Sequence, residues 1–452
     1  MNESSEGNFY WRKYFGNDEG KKFKASLLGD DLLGMYCIKS VGEEKKTIFV
    51  YQNGVYKNTG KNILSEEITN TIKPFFHQNH VNEVLSYITN LTTIDLREIK
   101  DKKNLINLKN GLFDLDNYTI QPHDPNFFNI VQLPIDYDSE ASCPNFLKFV
   151  AEVVGEELVP LVQEIFGYCL YRSYPIKKAF LFYGEPDSGK TTLLNVLVTF
   201  LGKENCSAVP LQKLSADRFA GSDLFGKAAN ICGDLPKNTV KDTSVFKMLV
   251  GQDVMRSEKK FKDAFDFFNS AKLIFSANIL PKPEEDEEAY YVRWILVPCR
   301  NKFVVGVNAV DRDELIKQLT TEKELSGIFL WSIEGLNRLL ENKRFLDRRT
   351  EEDIEDEYRE EAEKGERDNS SVIALFVREK LETDLKARIP VEELYNKYKQ
   401  VCKDHGEVPD HPRWFTRKLA KYIKFGQRKY TTKGDESRIM FYTGIKFKEG
   451  WK

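Results

Sequence analysis

Residues 180–196, FLFYGEPDSGKTTLLNV, limit the possible folds more than any other part of the chain. A short apolar run, suited to a buried parallel strand, leads into a segment whose periodicity is helical and which ends at Gly202. The pattern G-x-x-x-x-G-K-T lies between them. A strand, a glycine-rich loop and a helix in this order predict a phosphate-binding loop. We therefore expect an α/β domain around this stretch.

The loop residues have predicted roles in binding ATP and Mg²⁺. Gly184 and Gly189 let the backbone turn so that successive N–H groups point at the phosphates. Lys190 is expected to contact the β- and γ-phosphates, Thr191 to coordinate Mg²⁺, and the helix N-terminus to add its positive end. The predicted nucleotide-binding set is Gly184, Glu185, Pro186, Asp187, Ser188, Gly189, Lys190, Thr191 and Thr192.

A nucleoside triphosphatase also needs a second strand that ends in an acidic residue. The segment KAANICGDLP, about 40 residues downstream, supplies Asp234 after an apolar run at 228–232. Many such ATPases carry two adjacent acids, one for the metal and one to orient water, but here the preceding residue is Gly233. Either Asp234 serves both needs with the help of water, or another carboxylate such as Asp217 or Glu258 approaches it.

Two further strands end or begin at polar residues. The strand AKLIFSAN ends in Asn278, whose amide can position a water molecule beside a γ-phosphate. The strand in VRWILVPCR begins at Arg293. An arginine at this position could reach the γ-phosphate held by an adjacent subunit.

The segment RSEKKFKDAF, which precedes the strand of Asn278, places several bases around one aromatic ring. This pattern suits single-stranded DNA, whose phosphates are held while a base or sugar packs on the ring. A solvated turn is the alternative. The predicted DNA-binding residues here are Lys259, Lys260, Phe261 and Lys262.

The order of these motifs resembles that of superfamily 3 helicases of the phage and plasmid primase type. Poxvirus primase-helicases and archaeal plasmid replication proteins belong to the same group. The resemblance covers about residues 100–345 and rests on GEPDSGKT, ICGDLP, GQDVMRSEKKFKDAF, KLIFSANILP and VRWILVPCR. It implies an AAA+-like ATPase that forms a ring, usually a hexamer, and translocates on DNA. It further implies these roles: Lys190 and Thr191 for phosphate and Mg²⁺, Asp234 as metal-side acid, Asn278 as sensor, Arg293 as arginine finger, and Lys259, Lys260 and Phe261 as pore hairpin.

The net charge of -3 is unevenly distributed along the chain. Residues 351–368 hold 11 acids and 3 bases and predict a solvated helical connector. Residues 411–452 hold 12 Lys or Arg and 3 acids, interleaved with aromatic residues. A polyanion partner would explain this composition, and a basic surface over ordinary core aromatics is the alternative.

The C-terminal segment has the pattern of helix, turn, helix and a hairpin turning near residues 433–434, which predicts a winged helix binding double-stranded DNA. The predicted contact residues are Arg413, Arg417, Lys418, Lys421, Arg428 and Lys429.

The sequence predicts five divisions of the chain. They are an N-terminal α+β region of unknown role (1–100), a pre-helicase segment, largely helical after 143 (101–178), the ATPase domain (179–345), the acidic connector (346–369) and the winged helix (370–452). With about 100 residues ahead of the pre-helicase segment, we expect any primase on a longer polypeptide or on a partner protein, and a polymerase is a further possible partner.

Composition restricts the cellular setting. The chain has no run of 18 apolar residues and no secretion-signal pattern at its N-terminus, so we expect no membrane association and a cytoplasmic location. The resemblance implies that the cell is the host of a virus or plasmid. Its seven cysteines form no C-x-x-C pair, which disfavours a zinc site.

Two functions other than a helicase stay open: an ATP-dependent, origin-binding initiator, and a monomeric P-loop kinase or ATPase. The basic hairpin counts against the kinase.

Overall fold

The computed structural model describes residues 13–15, 22–42, 46–95, 103–217, 220–236, 239–251, 253–257, 265–304, 306–307, 310–363, 372–431 and 438–448. Its helices are α1 (Ala25–Met35), α2 (Gly60–Ile72), α3 (Gln78–Leu91), α4 (Pro144–Val154), α5 (Val159–Leu170), α6 (Lys190–Leu201), α7 (Leu211–Ala216), α8 (Ser244–Gly251), α9 (Glu288–Tyr291), α10 (Arg312–Leu319), α11 (Glu322–Asn342), α12 (Glu351–Glu363), α13 (Val372–Lys380), α14 (Val391–Asp404) and α15 (Pro412–Tyr422). Its strands are β1 (Ile38–Val41), β2 (Thr47–Gln52), β3 (Val55–Lys57), β4 (Leu105–Leu108), β5 (Gly111–Asp114), β6 (Thr119–Gln121), β7 (Ala179–Tyr183), β8 (Cys206–Ser207), β9 (Ala229–Cys232), β10 (Val254–Ser257), β11 (Phe265–Phe268), β12 (Lys272–Ala277), β13 (Trp294–Pro298), β14 (Leu381–Pro390), β15 (Gly426–Thr431) and β16 (Arg438–Phe447).

The chain divides into two compact units, residues 1–362 and 363–452. The first contains a parallel sheet with the strand order β13-β7-β12-β9-β8. Every residue of β7, β9, β12 and β13 is buried, as expected for apolar strands covered on both faces. The prediction of a mixed α/β fold with parallel strands is confirmed.

The strand order determines which loops meet. Because the strands are parallel, their carboxyl ends lie at one edge of the sheet, where ligands bind in open α/β folds. β12 lies between β7 and β9. The loops after these three strands, which hold the phosphate-loop motif, Asn278 and Asp234, therefore lie side by side.

The segment preceding β7 belongs to the same core as the sheet. It forms the antiparallel sheet β4-β5-β6 and then α4 and α5. Helices α5 and α11 pack closely at Gly167 and Gly335, which have no side chains to keep them apart. A Cβ at Gly167 would lie 2.3 Å from the carbonyl oxygen of Ser332. Asp114 and Asp116 lie in a turn, where the Asp114 carboxylate accepts hydrogen bonds from the backbone N–H of Asp116 and the amide of Asn117.

The region before residue 100 has its own small core. The antiparallel sheet β1-β2-β3 packs with α1, α2 and α3 around Leu32, Val50, Leu64 and Val84. This agrees with the alternation of β-rich and helical segments in the sequence. Among the described residues, no helix is long and apolar enough to cross a membrane.

Helix α12, which carries most of the acidic segment, differs from the solvated connector expected there. Ile354, Tyr358 and Ala362 recur every four residues, so they share one face of the helix, and all three are buried. The Tyr358 hydroxyl donates to the carbonyl oxygen of Pro281 at 2.8 Å and lies 2.8 Å from the hydroxyl of Tyr290. Over its described length the segment is therefore a packed helix whose acids occupy the remaining faces.

The second unit consists of α13, β14, α14, α15, β15 and β16, with the antiparallel strand order β14-β16-β15. The two helices and the hairpin expected here are present. The sequence prediction missed β14, which pairs with β16. Phe376, Leu394, Phe415 and Tyr442 form the centre of its core, and the rings of Tyr398 and Phe415 stack at 4.5 Å.

Candidate functional site

The phosphate-loop motif follows β7 directly and depends on its two glycines. Gly184 has φ +151°, and a Cβ there would lie 2.1 Å from the carbonyl oxygen of Cys299. Gly189 has φ +86°, and a Cβ there would meet the side chain of Val153 at 2.7 Å. Asp187 also has a positive φ, of 62°, in the left-handed region that Asp tolerates better than most residues. The loop can keep this shape only with glycine at 184 and 189.

Lys190 begins α6 and folds back over the loop. Its Nζ donates to the carbonyl oxygens of Gly184 and Glu185, both at 2.8 Å, and to the Ser188 hydroxyl at 3.0 Å. The residue is 4% exposed, and burial lowers the pKa of its ammonium group. These three acceptors are neutral groups, so the ammonium charge can bind an anion that enters the loop.

Asp234 follows β9 with φ +52°, and its side chain is exposed. The backbone N–H of Asp234 donates to the Ser276 hydroxyl at 3.3 Å, and that of Leu235 to the Ser276 carbonyl at 2.8 Å. The end of β9 is thus fixed to β12, beside the loop. The carboxylate is close enough to Lys190 to oppose the lowering of its pKa.

Two more predicted residues, Thr191 and Asn278, have exposed side chains, one in the first turn of α6 and one directly after β12. The Thr191 hydroxyl and the Asp234 carboxylate are oxygen donors of the kind that Mg²⁺ prefers. These two oxygen donors therefore fit the predicted metal.

The residue before Asp234 is not fixed as glycine by its surroundings. A Cβ at Gly233 would have its nearest contact at 3.7 Å, with the Ser276 hydroxyl, and Gly233 has no positive φ. A Cβ therefore fits at this exposed position without a clash. Of the two carboxylates considered as substitutes, Asp217 directly follows α7, and Glu258 lies outside the described residues.

Arg293 lies at the opposite edge of the sheet. Its carbonyl oxygen accepts a hydrogen bond from the N–H of Ala179, the first residue of β7, at 2.7 Å. Its guanidinium donates to the carbonyl oxygen of Ala289, whereas its buried Nε has no hydrogen-bond partner in the described part of the chain. The five residues of β7 separate Arg293 from the loop by about 16 Å. Arg293 therefore does not belong to the phosphate site of its own chain.

Sequence analysis missed a second arginine, Arg300, at the loop edge. The N–H of Cys299 donates to the carbonyl oxygen of Tyr183 at 2.7 Å, and the N–H of Phe303 to that of Asp187 at 2.8 Å. The segment between Cys299 and Phe303 therefore runs along the loop, with the exposed Arg300 within it. No local signal in VPCR identifies it, because its proximity to the loop depends on the pairing of β13 with β7.

Helix α12 also contacts the strand that leads into the loop. The Tyr183 hydroxyl donates to Glu357, and Glu357 accepts a hydrogen bond from Arg349 at 2.7 Å. Arg349 also donates to the carbonyl oxygen of Leu296 at 2.5 Å and to Asp347 at 2.7 Å. This network fixes α12 to β7 and β13. Its contact on β7 is Tyr183, the residue directly before Gly184.

The predicted DNA-binding hairpin is described only in part. β10 and β11 pair antiparallel, from Val254 opposite Phe268 to Ser257 opposite Phe265. The pairing agrees with a hairpin. The predicted residues between the strands lie outside the described part of the chain: Lys259, Lys260, Phe261 and Lys262.

In the second unit, the predicted basic residues of α15 fall into two kinds. The guanidinium groups of Arg413 and Arg417 lie 6.0 and 5.4 Å from the ring of Trp414. Lys418 forms an ion pair with Asp410 at 2.6 Å; burial opposes the charge, but this carboxylate raises the pKa of Lys418 above its usual value. Lys421 is in α15, but its side chain is not described. On β15, Arg428 and Lys429 are exposed.

Together, the fold and the loop define a mixed α/β protein in which a phosphate-loop motif lies at the carboxyl edge of a parallel sheet. Family models match three parts of the chain. A D5 N terminal like model matches residues 6–155, a Poxvirus D5 protein-like model matches residues 368–445, and a family of unknown function (DUF5906) matches residues 182–293. These matches and the viral relative described next support the predicted relationship to the phage and viral primase-helicases.

The individual proteins that are similar to this chain have low sequence identity to it. A putative helicase, 184R of Invertebrate iridescent virus 6, is 23% identical over 283 residues, which are 53% of this chain and 28% of that protein. Apo structures of the NrS-1 C terminal region are 14% identical, with TM-scores of 0.45 and 0.46, and cover 92% and 93% of this chain and 98% and 99% of theirs. The chain thus spans less than a third of the length of the viral relative.

Proposed function

We propose that the chain is an ATP-driven DNA helicase of viral or plasmid replication, which forms a ring, by resemblance a hexamer, and translocates on single-stranded DNA. The D5-type matches and the putative viral helicase support the coarser assignment to primase-helicases. A β12 strand between β7 and β9 supports an AAA+-like core.

One observation carries the ring model: Lys190 and Arg293 lie at opposite edges of one sheet. An arginine that cannot reach its own loop can complete the site of a neighbour, as an arginine finger does. In a ring, each interface would then combine the loop of one subunit with Arg293 of the next.

The residues of the loop suit ATP hydrolysis. Bound ATP would supply the phosphoanhydride bond, and Mg²⁺, held by Thr191 and Asp234, would neutralise phosphate charge. Lys190 would exchange its loop carbonyls for phosphate oxygens, and Asn278 would orient a water molecule. Arg300 would add a cation beside a loop that carries the carboxylates of Glu185 and Asp187.

For the second unit, we propose a winged helix that binds duplex DNA. The element order, with α14 and α15 followed by the hairpin β15-β16, supports this assignment. Arg413 and Arg417 on α15 and Arg428 and Lys429 on β15 are the proposed phosphate contacts. We assign Lys418 a structural role, because Asp410 already neutralises its charge.

One observation favours a second function, an ATP-dependent initiator or DNA-remodelling switch. Gly233 leaves Asp234 without an adjacent acid to orient water. Slow hydrolysis would suit a switch better than a processive motor.

Unwinding of a forked duplex, measured together with particle size with and without ATP, separates these functions. The helicase proposal predicts ATP-dependent strand separation by a ring, lost in Lys190→Ala and retained in Lys177→Ala, whose lysine is exposed outside the loop. ATP-dependent duplex distortion without strand separation would indicate the initiator. A monomer that hydrolyses ATP at the same rate with and without DNA would contradict both proposals.

A further inference from the structure

The outer face of the β14-β16-β15 sheet carries an unusual set of side chains. Tyr442 and Ile389, which are directly opposite each other, are buried and define the inner face. Side chains alternate along a strand, so Phe441 points to the outer face, as do its neighbours across the sheet. An antiparallel sheet with one face to solvent normally shows polar residues there. This face instead holds Phe441, Tyr430 and Ile439.

Three of these groups form one cluster. The guanidinium of Arg388, on β14, lies 4.7 Å from the ring centre of Tyr430 and 5.5 Å from that of Phe441. The two rings are 5.6 Å apart and nearly perpendicular. Arg388 thus extends across the sheet and contacts residues of both other strands. We call Arg388, Tyr430 and Phe441 the platform.

The platform lies in a basic environment. Arg428 is directly opposite Phe441 and is exposed. The strands β15 and β16 contain no acidic residue. The two carboxylates of β14, Glu382 and Asp384, are ion-paired with Lys446 at 3.1 and 3.6 Å. Both acids contact Lys446, which lies five residues from Phe441 along β16, whereas Arg428 is directly opposite Phe441.

We propose that this platform binds single-stranded DNA by stacking unpaired bases, a site that rests on the proposed DNA function but is separate from the duplex contacts of α15. Bases stack on aromatic rings and on arginine guanidinium planes, and all four bases can do so. Arg428, which is also one of the proposed duplex contacts on β15, would hold the phosphate adjacent to the stacked base. Arginine and aromatic side chains also occur at protein interfaces, and binding that does not depend on the bases would indicate such a partner instead.

The binding test compares a dT 20-mer with an abasic oligonucleotide of the same length, which has the same phosphates and no bases. With the full chain and no nucleotide, we expect Tyr430→Leu/Phe441→Leu to weaken dT binding at least about fivefold and to leave abasic binding unchanged. Leucine keeps apolar volume, so the fold should survive. Tyr118→Leu, which alters a tyrosine 51% exposed in the other unit, should change neither affinity.

A site-specific readout separates the platform from other DNA contacts. Photocrosslinking with an oligonucleotide containing 5-iododeoxyuridine, followed by mass spectrometry, should place adducts at Tyr430 or Phe441 and should weaken in Arg388→Gln. Equal dT affinity of wild type and double variant, or adducts confined to other residues, would overturn the proposal. So would a chain that binds an RNA 20-mer but not the dT 20-mer. If the wild-type chain unwinds DNA in those cases, only the proposed platform is rejected and the proposed function stands. If Lys190→Ala still unwinds DNA, the proposed function is rejected.

Discussion

Lys190 and Arg293 face opposite edges of the same parallel sheet, with the full length of β7 between them. Lys190 follows the loop at the carboxyl end of β7, and the carbonyl oxygen of Arg293 is hydrogen-bonded to Ala179 at its first residue. The two side chains can act on one nucleotide only if they come from different subunits. Assembly is therefore a requirement of the proposed chemistry.

Gly184→Ala should abolish nucleotide binding. A Cβ there would lie 2.1 Å from the Cys299 carbonyl, and φ +151° is unfavourable for any other residue. We expect a loss of about 1–3 kcal/mol in unfolding free energy, measured by denaturation, together with loss of ATP binding. Gly34→Ala is the control, because nothing lies within 4 Å of the added methyl group. A Gly184→Ala variant that binds ATP normally would contradict the loop geometry.

Gly233→Glu should fold normally and hydrolyse ATP faster than wild type. The position has room for a side chain, with its nearest contact at 3.7 Å, and general bases contribute about 10²-fold or more. We expect kcat to rise about tenfold, which is less than this full effect, because the surrounding site does not position the attacking water for an introduced glutamate. Gly233→Gln is the matched control without the charge. Equal rates for Glu and Gln would show that a second acid is not what limits turnover.

Arg300→Ala should raise the Kd for ATP by about 10- to 100-fold, the expected loss of one or two hydrogen bonds between charged groups. Arg300→Lys should recover part of the affinity. Arg293→Ala should leave ATP binding to dispersed subunits unchanged, because Arg293 is remote from its own loop. Titration with a fluorescent ATP analogue measures all three. Unchanged affinity in Arg300→Ala would remove Arg300 from the site.

Arg413→Ala/Arg417→Ala should weaken duplex binding and flatten its salt dependence. Removing one cation that neutralises a phosphate lowers the log-log slope by about 0.9, so the pair should lower it by about two units. Lys418→Ala should instead lower the stability of the second unit and keep the slope, since Lys418 is ion-paired with Asp410. Fluorescence anisotropy over a salt series tests both. A slope that falls only in Lys418→Ala would reverse the assignment.

The local sequence was sufficient to predict the loop, the strands after which Asp234 and Asn278 lie, and the two C-terminal helices. These follow from short-range patterns: apolar runs, glycine spacing and helical periodicity. The opposite placement of Arg293 depends on strand order, which no local pattern specifies. The same holds for Arg300, whose proximity to the loop depends on β13 pairing with β7.

Two misjudged segments show how one signal can hide another. In α12 the high acid count suggested a solvated helix, although Ile354, Tyr358 and Ala362 already recur every four residues. In the second unit, no strand was predicted before the first of the two helices, although Ile389 and Pro390 directly precede that helix. They end β14, and α14 begins at Val391. Without β14, Arg388 could not be placed beside Tyr430.

Mixing two inactive variants tests the shared ATP site between neighbouring subunits. Lys190→Ala removes the loop cation and Arg293→Ala removes the finger, so each should hydrolyse ATP at least about 100-fold more slowly than wild type when alone. In mixed rings, some interfaces join an intact loop to an intact Arg293, and ATP hydrolysis should recover to a substantial fraction of the wild-type rate. If mixtures at every ratio show no more hydrolysis than the separate variants while wild type and variants co-assemble, Arg293 does not act on a neighbour's nucleotide and the ring site is wrong.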